Sequence, residues 1–387
     1  MSIIQLRICI VFLEQKQYYR IMFSFIKKEI TFTVALVLTI ITSFLVHPSI
    51  EYLTCIDYRM LALLFCLMAI SSGLKESGFF EYLANLIVSK VNSFKYLSLL
   101  LVYLVFFASM FITNDVALLV FVPFTLLVVS NVVTEDKIIF LIILETVSAN
   151  LGSMATPIGN PQNLYLYSYY NLSAYDFFSS IVPVALFSLV LLTLTVFIFC
   201  KGTISIVVDK RERRVNKKLT LSYFALLILS LLTVFKVFDY RLLLLVIVLF
   251  LLIFSRKTFL AVDYLLLLTF VLFFIFSHNI SSIATIKSFL TSLMERSALL
   301  TSLLTSQVIS NVPSAVLLSS ATSNWKELLL GVDIGGLGTL VASLASLISF
   351  KIYANRSEAK VKRYLLRFTL INFTLLVLLY LFTLLIL

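Results

Sequence analysis

Histidine, tryptophan and closely spaced cysteine are almost missing from this chain, and each shortage removes a class of function. Two histidines and one tryptophan occur in 387 residues, too few imidazoles for a metalloenzyme centre unless carboxylates complete it. The four cysteines, Cys9, Cys55, Cys66 and Cys200, lie far apart without CxxC spacing, which argues against a zinc site and a disulfide framework. No HExxH and no Gly-rich phosphate loop is present, so an enzyme is not expected, nor a cofactor, nor direct nucleotide drive within the chain. Charge is scarce as well. Charged residues make up 13%, against about 25% in a soluble domain.

Apolar length takes their place. Hydrophobic residues make up 61%, and runs of membrane-spanning length recur from Ile30 to Leu387, which reads as an all-α polytopic membrane protein of about 9–11 transmembrane helices. The net charge of +11 does not signal nucleic acid, because the basic residues cluster in loops between apolar runs. Lys210, Arg211, Arg213, Arg214, Lys217 and Lys218 form one such loop, Arg256 and Lys257 a second, and Lys351 to Arg367 a third. The positive-inside rule makes all three cytoplasmic.

The chain divides into a cytoplasmic leader over 1–29, a first transmembrane repeat over 30–200, a basic cytoplasmic linker over 201–218 and a second, inverted repeat over 219–387. The leader's apolar run, Ile8 to Leu13, is too short for a signal-peptide core, and Met22 offers a second start. A multi-pass protein of the cell membrane is expected, with a cytoplasmic amino terminus and an external carboxyl terminus.

Asn150 to Asn163 reads Asn-Leu-Gly-Ser-Met-Ala-Thr-Pro-Ile-Gly-Asn-Pro-Gln-Asn. A helix entering it must unwind, and lipid offers no partner for the freed backbone groups, so the segment has to line a polar cavity inside the protein. Asn150-Leu-Gly152-Ser-Met-Ala-Thr156 returns as Asp333-Ile-Gly335-Gly-Leu-Gly-Thr339. Paired discontinuous helices of this kind point to a transporter's binding site. The apolar run from Tyr96 to Val129 is itself interrupted at Thr113-Asn114-Asp115, where an aspartate in lipid costs about 3 kcal/mol. Its arms of about 15 residues are short of a full crossing, which favours a re-entrant hairpin over two spans. Ser310-Asn311-Val312-Pro313 repeats that arrangement. Asp57-Tyr58 likewise matches Asp263-Tyr264, and amphipathic stretches follow at Lys75 to Lys95 and Asn279 to Arg296. Five spans separate Asp57 from Asp263, an odd number, so the repeats face opposite ways.

Phe107-Ala-Ser-Met-Phe-Ile-Thr-Asn-Asp-Val-Ala-Leu-Leu, taken with Ala155-Thr-Pro-Ile-Gly-Asn-Pro-Gln-Asn-Leu, resembles the ion-transporter superfamily of citrate-type permeases, divalent anion/sodium symporters, arsenite efflux pumps and sodium/proton antiporters. The resemblance runs from about Ile30 to the end. In the symporters, Ser-Asn-Thr motifs at two hairpin tips bind substrate carboxylate and, with the unwound segments, sodium. Thr113 and Asn114 match the first tip, and Ser310 and Asn311 the second. Asp115 and Val312 stand where each third hydroxyl belongs, and Asp333 to Ser346 lacks the Pro-x-Asn ending, which places the chain nearer the citrate-permease and arsenite-pump branch. The resemblance also implies a homodimer.

The candidate ligands for substrate and ion are therefore Thr113, Asn114, Asp115, Asn150, Gly152, Thr156, Gly159, Asn160, Asn163, Ser310, Asn311, Asp333, Gly335 and Thr339. Asp115, Glu145 and Asp333 are the candidate coupling acids. Half-helix amino termini suit a small inorganic or organic anion, and unwound carbonyls suit sodium or protons. The expected function is secondary transport of such an anion, with arsenite efflux or sodium/proton antiport as alternatives on the same scaffold and a channel as a more distant one. No resident metal is expected, only transient sodium. His47, His278 and Trp325 fit interfacial positions. If the repeat is inverted, cysteines placed at Asn216 and Ser281 in a cysteine-free background label from opposite sides of the membrane; labelling from one side would refute the inversion.

Overall fold

Caps and breaks set by single residues divide the long apolar runs into separate helices. The computed structural model describes residues 29–80, 82–83, 91–130, 132–204 and 215–387, and eighteen α-helices occur among them. The leader over 1–28, residues 81 and 84–90 of the amphipathic stretch between Lys75 and Lys95, and 205–214 of the basic linker lie outside the described residues. In chain order the helices begin with α1 Ile30–Leu45, α2 Glu51–Thr54, α3 Tyr58–Glu76, α4 Phe94–Ile112, α5 Asn114–Val129 and α6 Glu135–Ser153. They continue with α7 Pro161–Tyr169, α8 Ala174–Phe199, α9 Lys217–Val234, α10 Tyr240–Phe254, α11 Arg256–Leu260 and α12 Tyr264–Ser282. The last six are α13 Ala284–Arg296, α14 Ala298–Ile309, α15 Asn311–Ser319, α16 Trp325–Ile334, α17 Leu344–Ala354 and α18 Val361–Ile386.

Six of these are long and apolar enough to cross a membrane, namely α3, α4, α8, α9, α12 and α18, and five shorter apolar helices accompany them. The chain is thus an all-helical membrane protein.

Contacts divide it into two units. In one, formed by the described residues up to Ile56 and by Asp263–Ile283, α1 and α12 pack together through polar links. Thr39 Oγ1 donates to the Leu272 carbonyl at 2.9 Å, and the buried Asn279 amide donates to Thr42 Oγ1 and to Tyr52 Oη. Asn279 therefore lies within α12, and the amphipathic helix begins later, at α13, where Met294 alone is buried.

The other unit takes Asp57–Val262 and Ala284–Leu387. At its centre is α6, in which nearly every side chain from Ile138 to Ser153 is buried. Around α6 lie α4, α5 and α17. Arg356 meets Glu135 at 3.1 Å and Arg363 meets Asp136 at 2.7 Å, so the third basic loop and the start of α6 share one side.

The matched segments fold alike. Asp57 caps α3 by accepting from the Met60 N–H at 2.8 Å, and Asp263 caps α12 by accepting from the Leu266 N–H at 2.9 Å. In each half a helix, a one-residue break and a second helix are followed by an interrupted helix: α4, Thr113 and α5 precede α6 and α7, while α14, Ser310 and α15 precede α16 and α17. The arms differ in length. α14 and α15 have 12 and 9 residues, well under the roughly 20 a crossing needs. α4 has 19, so arm length favours a re-entrant hairpin in the second half and leaves both geometries open in the first.

Thr113 stands at φ 65° and ψ 150°, and Ser310 at φ 76° and ψ 155°. Only glycine enters this region freely, and a residue with a Cβ costs about 1–3 kcal/mol there. Thr113 makes no side-chain cap bond in return. Thr113→Gly should therefore raise the thermal unfolding midpoint, by the equivalent of about 1 kcal/mol after the added freedom of the unfolded chain is subtracted. A lowered midpoint would contradict strain at this tip.

Candidate functional site

Both tips and both interrupted helices meet inside the larger unit, and they meet twice in the same pattern. Take Asn150 and Asp333 as equivalent positions, as their sequences suggest. The first tip touches the first break through the Asn114 N–H, which donates to the Gly159 carbonyl at 3.1 Å. The second touches the second break through Ser310 Oγ, which donates to the Ala342 carbonyl at 3.3 Å. Gly159 and Ala342 each lie nine residues beyond Asn150 and Asp333. Thr156 Oγ1 donates to the Met110 carbonyl, three residues before Thr113. Thr339 Oγ1 donates to the Gln307 carbonyl at 3.0 Å, three residues before Ser310.

The two halves then cross. Asn150, from the first break, accepts at Oδ1 from Ser343 Oγ at 2.9 Å and donates through Nδ2 to Ser346 Oγ at 3.3 Å, both on the second. Asp333, from the second break, accepts at Oδ1 from Asn160 Nδ2 at 3.2 Å and from Gln162 Nε2 at 3.3 Å, both on the first. Asn160 and Ser343 are each ten residues beyond their Asn150 or Asp333, and Asn163 and Ser346 thirteen. Each break is thereby pinned to the other, through equivalent side chains at Asn160 and Ser343 and through Gln162 and Ser346, which are one register position apart.

The tips add their amides. Asn114 Nδ2 donates to Asn150 Oδ1 at 3.1 Å, joining the first tip to the crossing. Asn114 Oδ1 accepts from the Asp115 N–H at 3.0 Å, and Asn311 Oδ1 from the Val312 N–H at 2.9 Å, so both asparagines turn an oxygen back onto the start of the following arm. Asn311 Nδ2 lies beside Gly336, where a Cβ would come within 2.9 Å of it. Asp115 occupies the first turn of α5 with intermediate burial.

Backbone freed by unwinding is satisfied locally. Asn163 Nδ2 donates to the Met154 and Thr156 carbonyls, while Gln307 Nε2 donates to those of Gly335 and Leu337 and its Oε1 accepts from the Thr339 N–H. Gly338, at φ +100°, sits where a Cβ would be 2.2 Å from Gln307 Oε1, so this loop passes only as glycine.

Glu145 is fully buried but bonds elsewhere, accepting from Thr125 Oγ1 on α5, away from the crossing. The sequence-predicted residues from both tips and both breaks are thus brought together and Glu145 is not. Gln162, Gln307, Ser343 and Ser346 belong to the cluster without having been singled out. Extending the Asn150 and Asp333 register by ten and thirteen residues would have reached both serines. Nothing in the pattern pointed to Gln307.

The chemistry on offer is hydroxyl, amide, backbone and carboxylate, the last buried at Asp333 and half-buried at Asp115. Among the described residues no lysine, arginine or histidine is buried, whereas Glu145 and Asp333 are. Such a site holds a solute by hydrogen bonds and helix ends rather than by a cationic side chain. Three groups of His, Cys, Asp or Glu close enough to share a metal do not occur among the described residues.

Close packing holds the cluster in place. A Cβ on Gly152 would stand 2.2 Å from the Phe106 carbonyl oxygen on α4, and backbone on both sides leaves little room to yield. Gly152→Ala is expected to destabilise the protein by about 1–3 kcal/mol, read as a lower unfolding midpoint of the purified chain. A midpoint equal to wild type would show that α4 and α6 separate more easily than this contact implies.

Comparison with known proteins agrees with this architecture. The family model described as citrate transporter matches residues 20–328. The uncharacterized transporter MJ0456 of Methanocaldococcus jannaschii is 36% identical over 324 residues, 83% of this chain and 88% of that protein. The inner membrane protein YbiR of Escherichia coli is 32% identical over 308 residues, 78% of this chain and 81% of its own length. A shorter match, 36% over 131 residues, covers 34% of this chain and 27% of the silicon efflux transporter LSI3 of Oryza sativa subsp. japonica. With a family model covering most of the chain and two relatives aligned along most of their lengths, this multi-pass membrane protein belongs to the citrate transporter family.

Proposed function

We propose that the chain is a secondary active transporter that carries a small organic or inorganic anion, together with sodium or protons, through a site at the crossing of its two interrupted helices. The crossed pairing of Asn150 with Ser343 and Ser346, and of Asp333 with Asn160 and Gln162, is the observation that carries this reading. It joins unwound backbone from both halves in one polar, buried place, which is how alternating-access carriers build a site at mid-membrane. On this reading the two halves are inverted repeats and both tips are re-entrant.

The charge balance argues for cation coupling. An anion entering a buried site with no buried lysine or arginine and a carboxylate already present meets like-charge repulsion, unless a positive charge enters with it. Asp115 at the first tip and Asp333 at the second break are the acids placed to receive that charge. A carboxylate substrate fits the family's description, and silicon fits the name of the rice relative, so both belong in the substrate panel.

Asn114 and Asn311 offer the two tips' amides. Asn→Ala at either position should abolish counterflow of labelled substrate in proteoliposomes, tested over citrate, other carboxylates, arsenite and silicic acid. The accompanying loss of stability should stay near the about 1 kcal/mol of a hydrogen bond or two. Wild-type counterflow in both variants would move the site away from the tips.

A further inference from the structure

Away from the crossing, the outer ends of the two interrupted helices repeat one contact with unlike partners. Tyr170 and Tyr353 each stand 20 residues beyond Asn150 or Asp333, at the ends of α7 and α17. Each turns its hydroxyl onto the link that joins, in the other half, the second arm to the next helix. Tyr170 Oη donates to the Ser319 and Thr322 carbonyls, 2.9 Å from both, where α15 gives way to α16. Tyr353 Oη donates to Glu135 Oε1 at 2.5 Å, where the link from α5 enters α6. Ser319 lies 14 residues before Asp333 and Glu135 15 before Asn150, so the two hydroxyls land one register position apart. Glu135 and Tyr170 also mark the two extremes of α6 and α7. With 19 residues in α6 and 9 in α7, at about 1.5 Å each, that interrupted helix is long enough to set the contacts at opposite faces of a hydrocarbon core about 30 Å thick.

The two contacts differ in strength. At Tyr170 everything is neutral: its hydroxyl meets carbonyls, and beside it Tyr165 Oη and Ser319 Oγ share a bond of 2.8 Å. At Tyr353 the acceptor is a carboxylate. Glu135 also takes Arg356 Nη1 at 3.1 and 3.3 Å, with the two side chains only 13% and 16% exposed, and Tyr353 Oη accepts in turn from the Lys360 N–H at 2.9 Å. Charge-assisted bonds are roughly twice as strong as neutral ones, and burial spares them from screening by salt. The rings are held differently as well. Tyr353 stacks on the buried Tyr364 at 4.8 Å, and Tyr364 on the buried Phe368 at 6.0 Å. Tyr170 meets the exposed Tyr169 edge-on at 5.0 Å.

We propose that Tyr170 and Tyr353 are the latches of two gates at opposite ends of the crossing, both shut in this conformation, and that the neutral Tyr170 latch releases first. The latches rest on the carrier reading above and add to it an order of opening. With a gate at each end of α6 and α7, release of one while the other holds gives access to the crossing from a single face. The carboxylate and arginine at the Tyr353 end make that end the slower to part.

The test follows buried positions under each latch, in the full chain purified in detergent with Cys9, Cys55, Cys66 and Cys200 replaced. Ala315 lies one turn before Ser319 and Ile139 one turn beyond Glu135, each on the latched face of its helix and 0% exposed. Reaction of Ala315→Cys or Ile139→Cys with a polar thiol reagent, divided by the rate in the unfolded chain, reports how often the gate above it opens. Ala315→Cys should react faster than Ile139→Cys. Tyr170→Phe should raise the Ala315→Cys rate about fivefold, the worth of one hydrogen bond, and leave Ile139→Cys unmoved. Glu135→Gln keeps the shape and loses the charge; it should raise the Ile139→Cys rate about tenfold or more and leave Ala315→Cys unmoved. Tyr353→Phe reads the same latch if Glu135→Gln does not yield folded protein. A rate that stays unchanged under its own broken latch overturns the proposal, and so does one substitution that speeds both positions alike, which marks general loosening. Faster reaction at Ile139→Cys than at Ala315→Cys in the parent chain overturns the order of release. Counterflow of labelled anion, measured separately, keeps the two conclusions apart: exchange in a chain whose rates ignore both tyrosines refutes the latches alone, and latches that respond as stated in a chain that moves no anion refute the carrier reading alone.

Discussion

Backbone released at the two helix breaks has to find hydrogen-bond partners within the protein, and the rest of the larger unit is arranged to supply them. Lipid gives none, and a buried peptide group left unpaired costs about as much as a lost hydrogen bond. Asn163 covers the Met154 and Thr156 carbonyls, and Gln307 covers those of Gly335 and Leu337. Each tip then leans on the neighbouring break through Gly159 or Ala342. Because the breaks also bond to each other across the crossing, neither is shaped independently. Displacing one leaves buried donors and acceptors unpaired in both, so the polar core behaves as a single piece.

That dependence explains what the sequence discloses and what it conceals. Breaks are legible because glycine, proline and asparagine have few uses inside an apolar run, and the Asn150 and Asp333 segments are visible for that reason. Asp57 and Asp263 are legible as a matched pair before two apolar runs, whereas their capping of α3 and α12 shows only in the Met60 and Leu266 N–H bonds. Ser343 and Ser346 escape notice since serine is common in membrane helices, where it usually returns its proton to its own backbone, as Ser302 and Ser306 do here. Gln307 is concealed for another reason. Its role depends on where the second loop passes in space, and one side chain satisfies two carbonyls that lie 28 and 30 positions away. Arm length was a weaker guide than expected in the first half, where α4 extends back to Phe94 and reaches 19 residues.

The halves share their backbone plan more closely than their side chains. Thr113 and Ser310 adopt nearly the same dihedral angles, and Thr156 and Thr339 make the same bond to the same point of the preceding arm. Around that common frame the polar groups diverge: the first loop satisfies its own carbonyls from α7, the second from α14. A shared frame with different fillings keeps two breaks of equal shape and gives them unequal chemistry. Glu145 extends the difference, a buried acid in the first half bonded to Thr125 and outside the crossing.

One aspartate standing where the other half has an asparagine also has an electrical consequence. On the carrier reading proposed above, an ionised Asp333, deep in the fold at 2% exposure, would lie within the field that a resting membrane drops across its hydrocarbon. Each elementary charge carried through the whole of that field gains or loses about 2.3 kcal/mol per 100 mV. A neutral pair of asparagines would leave the crossing blind to the potential; with one carboxylate in it, any rearrangement that moves Asp333 along the membrane normal does electrical work. On that reading the polarity of the cell's voltage would favour one orientation of the crossing over the other, even before any solute arrives.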